Sequence, residues 1–579
     1  MLITRLHKFI TVPSANKSSL RLIWLSLSLT FAAIYSILAL QKAFSGEYVV
    51  QDDARQHVFW MRRFLDPTLF PNDLIADYFQ SVAPLGYSAV YHMVAAAGID
   101  PLLLSKLLPL VLGLTATGYC FGVCLQLLPV PLAGFIAALL LNQNLWMQDG
   151  FTSATPKAFI YPLFLAFLYY FLRRSLLPFL IAIALLGLFY PSFIFICAGI
   201  LVLQLWRWEQ GRLRLKPNRS DYFFCVTGLG VALLVLLPYV LASSEFGPVI
   251  RADQARTLPE FSHLRRSAFF DDNDPWRFWF NGSRSGIRLP STLMPPLVYA
   301  GFLLPILLRY PSLFPLAKHF RRNTLLAQIV LASFGMFFAA HAMLFKLHLP
   351  SRYTQHTLRI VFVIAAAIAL TLMLDAVFAL VKDIHKEQLI SSFVSRLLPV
   401  ASCLLLGAAL VLYPTSLKSF FWTGYIVGEV PALYEFFQAQ PKDILIASLS
   451  EEVNNLPTFS QRSILVGSEY AIPYHLGYYR QFRQRTIQLI QAQYSQNLAE
   501  LQNFIQKYEV DFWLLDKGAL TPAYIAGDRW FKQFFTSEDP LANLQQGLAP
   551  ALASFTQRCS VFETEKLVVL QADCITRNL

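Results

Sequence analysis

The sequence predicts an α-helical, polytopic membrane protein that ends in a small α/β domain, and three observations lead there. Hydrophobic residues make up 56% of the 579 and charged residues only 14%, with a mean hydropathy of +0.48; a soluble domain carries about 25% charge. Apolar stretches suited to a hydrocarbon core about 30 Å thick, which takes roughly 20 helical residues to cross, recur from residue 21 to residue 415. Beyond residue 430 the chain turns polar and alternates strand-like with helix-like runs.

About eleven spans are predicted: 21–41, 103–126, 131–146, 157–172, 175–189, 191–206, 221–243, 293–309, 323–345, 357–381 and 397–414. Residues 175–206 form one apolar run, but Tyr190-Pro191 divides it, because proline cannot continue the helical hydrogen-bond ladder. Arg5, Lys8 and Lys17 ahead of the first run resemble the start of a signal peptide. That run is too long for an h-region and no small-residue cleavage site follows it, so it reads as a retained first span.

The stretch 83–99 is the ambiguous one: it is short, opens with Pro84 and Gly86, and carries Tyr87, Tyr91 and His92. Basic residues concentrate in the loops left on the cytoplasmic side of a membrane. If 83–99 does not cross, the inner segments are the N-terminus, 127–130, Arg173-Arg174, WRWEQGRLRLKPNRS at 206–220, RYPSLFPLAKHFRRN at 309–323 and KDIHK at 382–386, nearly all basic. If it crosses, the later ones move outside and the rule fails repeatedly. The stretch is therefore expected at the outer interface, amphipathic or re-entrant, with the N-terminus cytoplasmic. The loop 244–292 falls outside with seven Arg, but its six acids leave little bias. Much of the net charge of +12 sits in such loops, which speaks for orientation and against nucleic acid as a partner.

The same scheme gathers 42–102, 147–156, 244–292, 346–356 and 415–579 on the outer side. It divides the chain into a membrane domain, 1–429, and an extracytoplasmic α/β domain, 430–579. In the latter DILIASL (443–449), RSILVG (462–467) and VDFWLLD (510–516) read as strands around the helical 484–508. Cys559 and Cys574 bracket the hairpin-like SVFETEKLVVLQAD. They read either as a disulfide, which an oxidising compartment favours, or as two free thiols.

Four outer segments carry candidate chemistry. EYVVQDDARQHVFWMRRF (47–64) places Asp52 and Asp53 just past the first span, ahead of His57 and Trp60 at near-helical spacing. A carboxylate there can deprotonate a hydroxyl or hold a divalent cation; it can also simply cap a helix. NQNLWMQDGFTSATPKAF (142–159) offers Asp149 as a second acid and Lys157 as a phosphate ligand, or else a turn and a snorkelling lysine. KLHLPSRYTQHTLR (346–359) carries Arg352 and Arg359, suited to gripping a phosphate or diphosphate, with Tyr353 between them; interfacial anchoring by Tyr and Arg is the alternative. FFDDNDPWRFWFNGSRSG (269–286) mixes Asp with Trp276 and Trp279, the combination sugar rings favour, or forms a surface loop.

An outward acid directly after the first span, an interfacial helix, a multi-span body and a polar outer C-terminal domain together resemble the GT-C glycosyltransferases. These include oligosaccharyltransferases, protein O-mannosyltransferases and bacterial aminoarabinose transferases. The resemblance covers most of the chain and is architectural. The WWD signature of oligosaccharyltransferases is absent, and SEYAIPYHLGYYRQFR (468–483) only loosely echoes an acceptor-side motif, so the acceptor stays open among glycan, lipid and protein.

The resemblance implies Asp52 or Asp53 as the catalytic or metal-organising carboxylate, a general base or a metal ligand, and Asp149 as the later acid; a divalent cation, Mg2+ or Mn2+, would be held by Asp52 and Asp149. It also implies Lys157, Arg352 or Arg359 on the donor phosphate; the residue chemistry itself leads to the expectation of His57, Tyr353, Trp276 and Trp279 on the substrate. The expected donor is a polyprenyl-phosphate or polyprenyl-diphosphate sugar held among membrane lipids, with a bacterial inner membrane as the setting. Two other readings remain. One is a glycan polymerase or ligase working through Arg265, Arg266 and His263. The other is a transporter or flippase, against which stand the lack of an inverted repeat and of any charge clearly mid-span, Asp375 coming nearest.

Overall fold

The computed structural model describes residues 2–11, 18–241, 244–262, 265–321, 324–386, 392–527, 530–534 and 540–577. Among the described residues six helices are long and apolar enough to cross a membrane, and four shorter apolar helices pack with them. In chain order the helices used below are α1 (Ser18–Ala43), α2 (Asp52–His57), α3 (Leu85–Ala96), α4 (Pro101–Leu127), α5 (Pro131–Leu145), α6 (Ile160–Arg173), α7 (Leu176–Phe189), α8 (Ile194–Gln204), α9 (Arg219–Leu241), α10 (Leu325–Ala342), α11 (Ser351–Lys386), α12 (Ser392–Leu412), α13 (Leu476–Tyr494) and α14 (Leu498–Tyr508). The break between α7 and α8 falls at Tyr190-Pro191, as the missing proline N–H requires.

Helix α11 is the axis of the bundle. Its small central residues, Ala365, Ala366, Ala367 and Ala369, are buried, so α5, α10, α12 and the turn Pro296–Leu303 all reach its surface. Helix α5 has every residue buried, the signature of a helix apolar on all sides and enclosed by neighbours; α1, α4 and α11 surround it. Asp375, near the far end of α11, is buried but bonded to His7 of the N-terminal helix Leu2–Ile10 at 2.8 Å. The predicted interfacial stretch is α3. Its 12 residues rise about 18 Å at about 1.5 Å each, too short to cross.

Strand β1 (Val49–Gln51) pairs antiparallel with β2 (Tyr425–Val427), tying the segment after the first span to the segment after the last. The polar C-terminal part contains β3 (Leu445–Ser448), β4 (Ser463–Ile464), β5 (Phe512–Asp516), β6 (Ser560–Glu563) and β7 (Leu567–Gln571) in one sheet, order β4-β3-β5-β7-β6. Strands β4, β3 and β5 are parallel; β7 is antiparallel to β5, and β6 antiparallel to β7. The helical run expected from residue 484 begins earlier, at Leu476, and divides at Ser495 into α13 and α14. Cys559 and Cys574 are joined across the β6–β7 hairpin, Cα to Cα 5.6 Å.

A bridge closing this loop, sequence separation 15, stabilises by about 3 kcal/mol. Replacing both cysteines with Ser, or reducing the protein, is expected to lower the urea concentration at which a protease cuts the hairpin, read by pulse proteolysis. Equal midpoints for oxidised and reduced protein would argue against a stabilising bridge.

Candidate functional site

The first loop is steered into place before it reaches the two aspartates. Paired to β2, β1 delivers Asp52 with its backbone N–H on Gly424 O at 3.0 Å. The cap of α2 is Gln51, whose side chain accepts from Ala54 N at 3.1 Å. The capping reading of the Asp pair therefore falls, and both carboxylates are released to other partners.

Asp53 forms an ion pair with Lys157. The lysine reaches it along Gly150, where a Cβ would stand 3.1 Å from Lys157 Cε and 3.3 Å from Nζ, so the glycine opens its path. Burial alone would raise the Asp53 carboxyl; the Lys157 ammonium outweighs it and holds the group below the usual carboxylate range. Asp52 goes the other way. Its burial and the neighbouring Glu469 carboxylate raise it, against Arg55, whose Nη2 donates to Oδ1 at 2.7 Å. The Asp52 side chain stays 43% exposed.

Glu469, from the C-terminal part, ties these pieces together. It accepts from Gln56 Nε2 at 2.5 Å and pairs with Arg266 at 2.7 Å and Arg55 at 3.5 Å. His57 sits edge-on to Phe79 and is pushed down to about 4 by burial, with Lys157 and Arg266 adding to that and Asp53 opposing. It is neutral at physiological pH.

Beyond Lys157 opens a cavity of about 350 Å³. Its polar wall is Lys157, Tyr161, Arg288, Arg352, Gln355, His356 and Arg359, and the exposed ring of Trp422 stands on it. No carboxylate lines it among the described side chains. Arg359 is 2% exposed and donates from Nη1 to Tyr161 Oη, yet its Nε and Nη2 have no hydrogen-bond partner among the described residues. Gln355 Nε2 lies 3.0 Å from His356 Nε2 and Tyr161 Oη lies 2.8 Å from His356 Nδ1. As Gln355 is placed, its amide donates to Nε2, so Nδ1 carries the proton and donates to Tyr161. The phenol oxygen then accepts twice, and its own O–H is left to donate.

The expected site residues divide. Asp53, Lys157, Arg352 and Arg359 gather at or beside the cavity, with Asp52 and His57 on the adjoining α2. Tyr353 is buried and spends its hydroxyl on Leu347 O at 2.7 Å. Trp276 stacks on Phe280, and Trp279 packs against His341 and Phe338 on α10; neither lines the cavity, which takes its aromatic from Trp422 instead. The side chain of Asp149, and all of His263, lie outside the described residues.

The expected metal on Asp52 and Asp149 falls partly outside the described residues, because the Asp149 side chain is not among them. Asp52 is engaged by Arg55 and Asp53 by Lys157. No group of three His, Cys, Asp or Glu able to hold a cation occurs among the described residues, and hard divalent cations want several free oxygens. No step is assigned to a metal.

Sequence reading passed over Arg288, Gln355, His356, Tyr161 and Glu469. For α11 a signal existed: Arg352, Gln355, His356 and Arg359 follow the i, i+3, i+4, i+7 spacing of one helical face, a polar stripe leading into an apolar run. Arg288 and Glu469 carry no such pattern.

The depressed histidine sets a pH dependence. A His whose folded value lies below its unfolded value of about 6.5 leaves the unfolded chain holding more protons, so stability falls as pH drops from about 6.5 towards about 4. The fall from this group is on the order of 3 kcal/mol. His57→Gln is expected to flatten that part of the melting-temperature profile, and an unchanged slope would show that His57 does not titrate there.

No family model matches the chain, and no curated protein matches it. Solved structures do. The oligosaccharyltransferase of Archaeoglobus fulgidus in its apo form aligns with a TM-score of 0.55 at 13% identity, covering 91% of this chain and 73% of that one. The same enzyme tethered to an acceptor peptide containing the NVT sequon gives 0.53, at 13% identity over 90% and 72%. The archaeal oligosaccharyltransferase AglB from Archaeoglobus fulgidus in complex with an inhibitory peptide and a dolichol-phosphate gives 0.52, at 14% identity over 89% and 72%. The fold of this chain is that of these oligosaccharyltransferase structures.

Proposed function

We propose that the protein is a membrane glycosyltransferase that takes a sugar from a polyprenyl-phosphate or polyprenyl-diphosphate donor on the outer side of its membrane. The observation that carries this reading is Arg359: a buried guanidinium with two nitrogens unpaired among the described residues, in a cavity walled by Lys157, Arg288 and Arg352. A buried cation without an anion is costly. A phosphate group supplies the anion, and guanidinium meets it with a fork of N–H donors.

The two aspartates then take different tasks. Asp53, held low by Lys157, is a weak base; it orients the lysine at the mouth of the cavity. Asp52, raised and half exposed, is the better base towards an acceptor hydroxyl, since efficiency rises as the carboxyl approaches the operating pH. In the step proposed, the acceptor oxygen bonds to the anomeric carbon as the carbon–oxygen bond to phosphate breaks. The hydroxyl proton goes to Asp52. The departing phosphate keeps the bonding pair, its charge met by Arg359, Arg352 and Lys157 and by the free Tyr161 O–H. Trp422, 61% exposed on the cavity wall, offers a face to the sugar ring. Dolichol-phosphate in the Archaeoglobus complex supports a donor of this class.

Lipid mass spectrometry on the purified protein tests both halves. Wild type is expected to retain a phosphate-bearing polyprenyl lipid, and Arg359→Gln to lose it. Asp52→Asn is expected to keep that lipid while consumption of lipid-linked sugar in membranes falls by about 10²-fold or more. Undiminished consumption in the Asp52→Ala, Asp53→Ala double variant would sink the carboxylate mechanism.

A further inference from the structure

A second cavity, larger than the first, opens at the other end of the bundle. Its volume is about 630 Å³, and it lies between α1, α4 and α6. Chain direction sets the two apart: α5 starts within a few residues of the end of α4 and runs to Leu145, which lines the cationic cavity. The C-terminal end of α4, where the second cavity lies, is therefore at the far side of the membrane domain from Lys157 and Arg359. Arg21 stands at the start of α1, the end opposite the Asp pair.

The walls are apolar, with Leu22 and Leu25 from α1 facing Leu114 and Leu125 from α4. Gly118 forms part of the floor, where an added Cβ would meet nothing within 4 Å. Along α4 the lining runs from Leu114 to Gln126; those twelve steps span about 18 Å at about 1.5 Å per residue, close to half of a hydrocarbon core about 30 Å thick. The groove is as deep as one leaflet. Its rim carries Arg21, Arg173 and Arg321, and no carboxylate lines it among the described residues. Arg173 donates to Tyr169 Oη at 2.9 Å and Arg321 to Gln126 Oε1 at 2.9 Å. Both partners are neutral, so they orient the guanidinium groups without cancelling their charge.

We propose that this groove holds one diacyl phospholipid with an anionic headgroup, drawn from the leaflet at the basic end of the protein. One acyl chain lies along α4 over Gly118, and the headgroup phosphate sits among the three arginines. Basic pockets between membrane helices on the inner face are suited to such headgroups. The lipid fills the cleft where α1, the helix leading to Asp52 and Asp53, meets α4 and α6. This site is separate from the donor cavity and does not depend on the function proposed for it.

The test uses the full chain in mild detergent, with phosphatidylglycerol and phosphatidylcholine of identical chains as probes. Native mass spectrometry is expected to show one retained phosphatidylglycerol, and only that lipid is expected to raise the melting temperature. Arg173→Gln with Arg321→Gln should weaken retention on the order of 20-fold. Gly118→Trp leaves the arginines in place, fills the groove and should abolish retention. Equal effects of the two lipids on wild type would overturn the proposal without recourse to any variant. Full retention by both variants would overturn it too, as would preferential retention of a polyprenyl phosphate at this groove.

Discussion

A guanidinium buried at the end of a membrane helix, with its charge unmet by any described carboxylate in the cavity, constrains everything around it. Taking Arg359 out of water costs several kcal/mol unless an anion or a set of dipoles answers it. The protein answers only in part: Tyr161 accepts one N–H, and its own position is fixed by His356 and Gln355 from the same helix. Three further basic side chains line the same cavity, which raises the expense rather than lowering it. Such an arrangement persists when the missing partner is a ligand, and it selects ligands by charge before shape.

That positive pocket stands beside acidic side chains without being neutralised by them, and the segments around it achieve the spacing. Lys157 bridges the two, bonded to Asp53 while lining the cavity. The other acids of the region are held back by their own partners, Asp52 by Arg55 and Glu469 by Arg266 and Gln56. These pairings join three distant parts of the chain: the first loop, the loop 244–292 and the C-terminal part. Backbone contacts reinforce them, with β1 on β2 and Ile250 N on Tyr474 O at 2.9 Å. The loop 244–292 thus braces the site while Trp279 packs against α10 and Trp276 stacks on Phe280 of its own loop.

How much of this was legible in the sequence follows from which physical signals survive in one dimension. Hydropathy does: the described parts of the predicted spans fall on helical segments, and among the described residues six helices have the length to cross unaided. Proline chemistry does, at Tyr190-Pro191. The Asp pair, Lys157, Arg352 and Arg359 were visible as polar residues flanking apolar runs. The capping role of Gln51 was not, because Asp is the commoner cap and only the strand pairing of β1 sets where the helix begins. Glu469 and Arg288 were invisible for a different reason: each joins the site from a segment far away in sequence, by packing alone. At Trp276 and Trp279 composition shows that aromatics and acids share a loop but not which way the loop faces.

Two adjacent carboxylates on one turn of helix would repel and titrate alike in water. Here their surroundings push them apart: Lys157 lowers Asp53, while Glu469 and burial raise Asp52. Pairs of titratable groups separated in this way are how one site supplies both a fixed charge and a proton acceptor at a single pH. Neutral His57 on the same helix adds no competing positive charge beside them. The side chain at 52 can therefore change its protonation state while the one at 53 keeps Lys157 anchored. It follows that exchanging the two environments, rather than the two residues, is what would reverse their roles.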